Sequence, residues 1–203
     1  QTTPFYIAHD GTHIWVSNYG SNTVGKYLES NGVLVANYAV GVQPWGIVYD
    51  GVHIWVVNRT SDNIMRLDPA TGGILNTYSV GGTDPSGLEY VGGFLWIANF
   101  GTGTVVQMDP VGGTIVNTLS VGGNPYGIRD DGVGNVWCCS RTTNQIHKIP
   151  VASPLTFVSY ATGGTSISQS AFDGTHIWIT DNVGGNANLI KILASTGAFV
   201  ATY

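Results

Sequence analysis

Tryptophan recurs along this chain at an almost fixed interval, with Trp15, Trp55, Trp96, Trp137 and Trp178 separated by 40, 41, 41 and 41 residues. Each follows an aliphatic residue in a short apolar run: His13-Ile14-Trp15-Val16, His53-Ile54-Trp55-Val56, Phe94-Leu95-Trp96-Ile97, Asn135-Val136-Trp137-Cys138 and His176-Ile177-Trp178-Ile179. A period of about 20–50 residues marks a chain built by repeating one supersecondary unit, and such units bury their apolar faces only by stacking on one another.

The signals around each tryptophan define the unit. Upstream lies an Asp-Gly pair, at Asp10-Gly11, Asp50-Gly51 and Asp173-Gly174; Val91-Gly92-Gly93 replaces it in the third unit, and Asp131-Gly132 has one extra residue before its tryptophan. Asp-Gly between apolar runs predicts a tight hairpin, because both residues tolerate positive φ. Further upstream is a Pro-x-Gly-Ile-like entry: Pro4-Phe5-Tyr6-Ile7, Pro44-Trp45-Gly46-Ile47, Pro85-Ser86-Gly87-Leu88 and Pro125-Tyr126-Gly127-Ile128, with Ile167-Ser168-Gln169-Ser170 departing from it in the fifth unit. Downstream, a third strand such as Asn63–Asp68 leads through Pro69-Ala70-Thr71-Gly72 to a fourth, Ile74–Val80. Four strands, a to d, thus recur in units at about 4–43, 44–84, 85–124, 125–166 and 167–203.

A four-stranded meander is marginal alone, and stacking units around an axis covers both its faces. The pattern predicts an all-β chain, a five-bladed β-propeller of four-stranded antiparallel blades in one domain, 1–203. Strand b supports this, being apolar on both faces: Trp55 and Val57 on one, Ile54 and Val56 on the other. The five tryptophans are then core pieces between blades.

Composition narrows the function. The 203 residues carry 9% charged side chains, only seven Lys and Arg, and a formal net charge of −5, so no basic stripe points to nucleic acid. No apolar run reaches the ~18 residues of a membrane span. Cys138 and Cys139 are adjacent in a predicted strand, so they point to opposite faces and are expected to be buried thiols rather than a disulfide. Low charge with abundant Gly, Thr, Ser and Asn suggests an extracellular, cell-surface or virion-surface protein, and the start at Gln1 is expected of a processed or trimmed chain. Asn58-Arg59-Thr60 is a glycosylation sequon, expected on a surface loop.

The pattern Pro-x-Gly-Ile, Asp-Gly-x-x-Ile-Trp-Val, Asn-x-Ile-x-x-Leu resembles, unit by unit and over essentially the whole chain, the streptogramin lyase (virginiamycin B lyase) and NHL-like group of propellers. For the lyases the resemblance implies seven repeats, a catalytic His after the entry Pro and a carboxylate just after the Trp strand. Here the first slot holds Phe5, Trp45, Ser86 and Tyr126, with Ser168 in unit five. The second holds Asn18, Asn58, Asn99, Ser140 and Asp181. The acid–base pair is therefore not carried over.

In a propeller the d–a and b–c connections share one face, and the starts of the a strands crowd round its axis. Phe5, Trp45 and Tyr126 are placed there, with b–c loops bearing Tyr19, Arg59, Phe100 and Arg141 around them. Aromatic platforms beside Arg, Asn, Thr and Ser donors suit a sugar or a polar protein surface; the same aromatics could equally plug the channel mouth and touch only one another. The expected role is a non-enzymatic recognition or assembly module binding glycan or protein, without cofactor or metal. The alternative is a divergent hydrolase or lyase using Asp181 with Arg59 or Arg141. His13, His53 and His176 share one slot, but adjacent sheets lie ~10 Å apart, too far to converge on a metal. Nothing in the sequence supplies a terminal strand to lock first and last units together, so closure rests on blade packing or on a homo-oligomer or larger assembly.

Overall fold

The computed structural model describes residues 2–183 and 186–203. Blade one comprises β1 (Pro4–His9), β2 (His13–Asn18), β3 (Thr23–Leu28) and β4 (Leu34–Ala39). Blade two comprises β5 (Pro44–Tyr49), β6 (Ile54–Asn58), β7 (Asn63–Leu67) and β8 (Ile74–Ser79). Blade three has β9 (Pro85–Val91), β10 (Phe94–Asn99), β11 (Thr104–Asp109) and β12 (Thr114–Ser120). Blade four has β13 (Pro125–Asp130), β14 (Asn135–Ser140), β15 (Gln145–Pro150) and β16 (Val158–Ala161), and blade five β17 (Ile167–Phe172), β18 (His176–Val183), β19 (Asn186–Leu193) and β20 (Phe199–Thr202). Each sheet is an antiparallel meander of four consecutive strands, so the chain is all-β with five propeller blades, and among the described residues no strand is exchanged between the first and last.

The Asp of each Asp-Gly pair builds more than a turn. Asp10 accepts hydrogen bonds on Oδ1 from the backbone N–H groups of Thr12 (2.9 Å) and His13 (2.7 Å), and on Oδ2 from Trp15 Nε1 (2.7 Å). Asp50 does the same with Val52, His53 and Trp55, and Asp173 with Thr175, His176 and Trp178. Asp131 reaches Trp137 Nε1 at 3.0 Å from one residue further back. The same carboxylate closes the a–b hairpin and fixes the indole. Blade three has Val91 in that slot, and Trp96 Nε1 is buried without a hydrogen-bond partner among the described residues.

Burial alone would push the Asp10 pKa up, but the bonds from Trp15, Thr12 and His13 outweigh it and hold it at about 2. Asp50 and Asp131 are lowered by the same balance. A carboxylate held below its unfolded value of about 3.9 stabilises the fold above that pH and loses the contribution as pH falls through its folded pKa. The melting temperature is therefore expected to stay level from pH 7 to about 5 and drop between about 4 and 2. An Asp10→Asn, Asp50→Asn chain should show a shallower drop in the same melting series; an equal drop would place the acid sensitivity elsewhere.

Blades pack by one rule. Trp15 lies against Ile47, Ile54, Val56 and Leu67 of blade two, and Trp55 against Leu95, Ile97, Val106 and Met108 of blade three. Trp96 meets Ile128, Val136, Cys138 and Ile149 of blade four, and Trp137 meets Ile177, Ile179, Ile190 and Ile192 of blade five. All four of these tryptophans are fully buried. Trp55 with Val57, and Ile54 with Val56, fall in opposite cores, as strand alternation requires. Cys138 and Cys139 likewise face blades three and five as free buried thiols, with burial pushing the Cys139 pKa up to about 12.

The glycine of the Pro-x-Gly entry is explained by the same packing. A Cβ on Gly46 would stand 2.8 Å from Ser86 O of the next blade, and one on Gly87 would stand 2.5 Å from Tyr126 O. The innermost strands touch backbone to backbone at this position. Blades one and five carry Tyr6 and Gln169 there, and Gln169 Nε2 donates to the Tyr6 hydroxyl.

Candidate functional site

The d–a and b–c loops are locked together in every blade. The residue following strand b, or in blade five Asn182 within the longer β18, donates its N–H to the carbonyl of the residue preceding strand a: Tyr19 to Thr3, Arg59 to Gln43, Phe100 to Asp84, Arg141 to Asn124 and Asn182 to Ser166, at 3.0 to 3.2 Å. Thr3, Gln43, Asp84 and Asn124, just before the entry prolines, have positive φ, as do Asn22, Asp62 and Asn144 in the b–c turns. Every described non-glycine residue with positive φ lies on this face. Asn and Asp, which tolerate that backbone region, supply most of them.

This scaffold gathers all the aromatic residues expected from the sequence. Phe5 stacks on Trp45 with ring centroids 3.7 Å apart and planes 28° apart, and Tyr19 meets both rings edge-on at 5.3 Å. Tyr126 stands edge-on to Trp45 at 5.8 Å and to Phe100 at 5.9 Å. The Arg59 guanidinium sits over Trp45 (4.7 Å) and Phe100 (5.6 Å) and grips Asp84 bidentately, Nη2 to Oδ2 at 2.6 Å. It is thus committed to a bridge between two loops. Arg141 covers Tyr126 at 5.4 Å while its Nε donates to Ser166 Oγ at 3.2 Å, leaving the end of its guanidinium toward the cleft.

A cleft of about 540 Å³ opens beside this cluster. Phe5, Tyr6 and Ile7 form one wall; Ser168, Gln169, Ser170 and Asn182 of blade five form the other. Trp45, Tyr126, Arg129 and Arg141 close the base and side. Phe5, Trp45, Tyr126 and Arg141 therefore line the cleft, whereas Tyr19, Arg59 and Phe100 buttress it. The aromatics of the entry slot differ in exposure. Trp45 is 5% exposed beneath its neighbours, while Phe5 is 45% exposed.

Tyr6 and Arg129 were not singled out in the sequence, although both line the cleft. Burial pushes the Tyr6 hydroxyl up to about 12 against the opposing pull of Arg129. Arg129 pairs with Glu89 at 3.3 Å, and burial raises the Glu89 carboxyl despite that partner. For Tyr6 the available signal was the loss of glycine from the entry motif of unit one; Arg129 lies in a unit that keeps Gly127 and carried no such signal.

Asp181 is 3% exposed and spends its carboxylate on the backbone N–H groups of Thr165 and Ser166, with Oδ1 2.7 Å from the latter. Among the described residues it forms no ion pair with Arg59 or Arg141. His13, His53 and His176 each lie 3.3 to 3.6 Å from the Asp of their own hairpin, on the other face. No cluster of three or more His, Cys, Asp or Glu able to hold a metal occurs among the described residues. One expectation is corrected: Asn58 of the sequon is fully buried, its amide donating to Asn63 Oδ1 at 2.8 Å, because it caps the b–c turn from inside the blade. No helix of the described residues is long and apolar enough to cross a membrane.

Fold and site together define a β-propeller with one aromatic-lined face. No protein-family model and no curated protein matches the sequence. Solved structures are similar in fold. Hydrazine synthase of Kuenenia stuttgartiensis shares 18% identity at a TM-score of 0.82, over 96% of this chain and 64% of that one. Virginiamycin B lyase of Staphylococcus aureus shares 18% at 0.79, over 94% and 66%. A chain of the nidogen/laminin complex shares 15% at 0.78, over 98% and 79%. The resemblance to lyase-type propellers thus holds in three dimensions, and the chain spans about two thirds of the length of the first two.

Proposed function

We propose that this chain is a non-enzymatic recognition module of an exported, cell-surface or virion-surface protein, holding a glycan or a polar protein surface in the cleft beside Phe5. The observation that carries this reading is the half-exposed Phe5 ring, held rigid on Trp45, facing Ser168, Gln169 and Asn182 with Arg141 at the side. Stacking on a fixed aromatic plus a few orienting donors is the chemistry by which a protein grips a sugar ring or an exposed loop. A propeller in a protein–protein complex has a parallel in the nidogen/laminin structure. The carboxylate required by a hydrolytic reading, Asp181, is already bonded to its own loop.

Screening the chain against immobilised oligosaccharides and against surface proteins from candidate hosts tests this. Ligands retained by the native chain should bind at least about tenfold more weakly to Phe5→Ala and to Arg141→Ala, since each removes roughly 1.4 kcal/mol or more. Both side chains are at the surface of the cleft, so the melting temperature should move by only about 2 °C. Absence of any ligand, or retention undiminished by both substitutions, would overturn the proposal.

A further inference from the structure

On the face opposite the cleft, each packed blade interface leaves a groove between the a–b turn of one blade and the c–d turn of the next. Three of the four grooves are charged and bridged. Asp10 and Lys26 line the groove between blades one and two, Asp50 and Arg66 the next, and Asp131 and Lys148 the one between blades four and five. In each, the strand-c cation lies over the tryptophan of its own blade and crosses to a carbonyl of the neighbouring c–d turn. Lys26 donates to Pro69 O at 2.7 Å, Arg66 to Pro110 O at 3.3 Å and Lys148 to Ala194 O at 3.1 Å. The three bridged grooves measure about 260, 300 and 340 Å³.

The groove between blades three and four lacks both the charges and the bridge. Val91 and Gly92 stand where the others have Asp-Gly, Phe94 where blades one and two have His, and Gln107 where they have Lys or Arg. No charged side chain lines this groove. Gln107 is too short to cross and turns instead to its own blade, accepting on Oε1 from Asn117 Nδ2 at 2.6 Å. Val151 stands in the register of Pro69, Pro110 and Ala194, and among the described residues its carbonyl receives no bond from Gln107. Unbridged, the groove opens to about 570 Å³, within the range of about 300–1,000 Å³ typical of small-molecule sites.

We propose that this groove is a second binding site, taking a small uncharged ligand with an apolar body and one carboxamide group. The polar half of the match comes from the two side-chain amides. Gln107 is only 2% exposed, yet among the described residues its Nε2 carries no hydrogen bond, and neither does Asn117 Oδ1. One donor and one acceptor are thus left for a ligand carbonyl and N–H, and turning both amides over leaves the same pair. A buried amide with bonds unmade gains from any partner that supplies them. The apolar half comes from Phe94, Val116, Val151 and Pro154. Phe94 and Val151 pack on the core that holds Trp96, so these walls are firm. An ionised ligand would give up its water here and meet no counter-charge, so the site selects against it.

The test titrates the full chain with phenylacetamide, phenylacetate and phenethylamine, which are alike in size and differ in charge, and follows backbone amide shifts. Phenylacetamide should move Gly92, Phe94, Gly134 and Val151 with a Kd of about 1–10 mM, as expected of roughly ten non-hydrogen atoms. The acid and the amine should bind there at least about fivefold more weakly. Gln107→Lys should abolish the shifts without lowering the melting temperature, because the new side chain can bridge to Val151 O as Lys148 bridges to Ala194 O. Gln107→Met keeps the shape of the side chain and removes the donor, so phenylacetamide should lose its advantage over the charged probes. Equal binding of the three probes at these amides would overturn the proposal. So would undiminished binding to Gln107→Lys, or phenylacetamide shifts that are absent or confined to other parts of the chain.

Discussion

Replacing Trp55 by alanine is expected to destabilise the chain by about 3–5 kcal/mol and to lower its melting temperature by roughly 10 °C or more. The indole is fully buried against Leu95, Ile97, Val106 and Met108, so truncation leaves a cavity between blades two and three that neither sheet can collapse to fill. It also strands the Asp50 carboxylate and removes the ring stacked on Tyr78 at 6.0 Å. Trp96 supplies an internal control, since its Nε1 has no acceptor among the described residues. Trp55→Phe should therefore cost about 1.5–3 kcal/mol more than Trp96→Phe, the worth of one buried hydrogen bond to a charged group. Urea unfolding of the three variants measures this, and equal losses for the two Phe variants would show that the Asp–Trp bond contributes nothing.

Gly87→Ala is the second large effect, expected to cost about 2–3 kcal/mol from a single methyl group. The new Cβ would lie 2.5 Å from Tyr126 O, 2.8 Å from Ile128 Cγ2 and 3.0 Å from Ile128 N, so most of the conflict is with backbone that cannot rotate away. Relief requires blades three and four to separate at the axis, which also loosens the bonds from Ser86 Oγ to Pro125 O and Tyr126 O. Gly51→Ala makes the contrast. Its Cβ would meet nothing within 4 Å, and only the φ of +95° opposes it, so about 1 kcal/mol is expected. Should thermal melts rank Gly51→Ala above Gly87→Ala, close approach of the inner strands is not what the entry glycine serves.

The blades were legible because their signals are local. The Pro entry, the Asp-Gly hairpin and the tryptophan spacing each act within a few residues, and the strands fall where those signals put them. The link between two of the signals was not legible: the carboxylate of Asp10 bonding the indole of Trp15 depends on how a hairpin folds its side chains back, which spacing alone does not reveal. The site was legible as a face and not as a surface. Phe5 and Trp45 occupy equivalent slots and read alike, yet one is half-exposed and the other covered, because blade two, unlike blade one, packs between two neighbouring blades. Arg59 looked like a free donor, but its partner Asp84 stands 25 residues away on the next blade's entry loop. Tyr6 and Gln169 reach the cleft from the entry-glycine slot of blades one and five, and Arg129 from two residues further along the innermost strand of blade four.

The central claim, that recognition belongs to the cleft between Phe5 and blade five, is tested most directly by mapping amide chemical-shift changes while titrating a retained oligosaccharide or peptide. The account predicts shifts concentrated at Phe5, Tyr6, Arg141, Ser168 and Asn182. Shifts confined to the opposite loops, at Val52, Val111 and Val133, would contradict it.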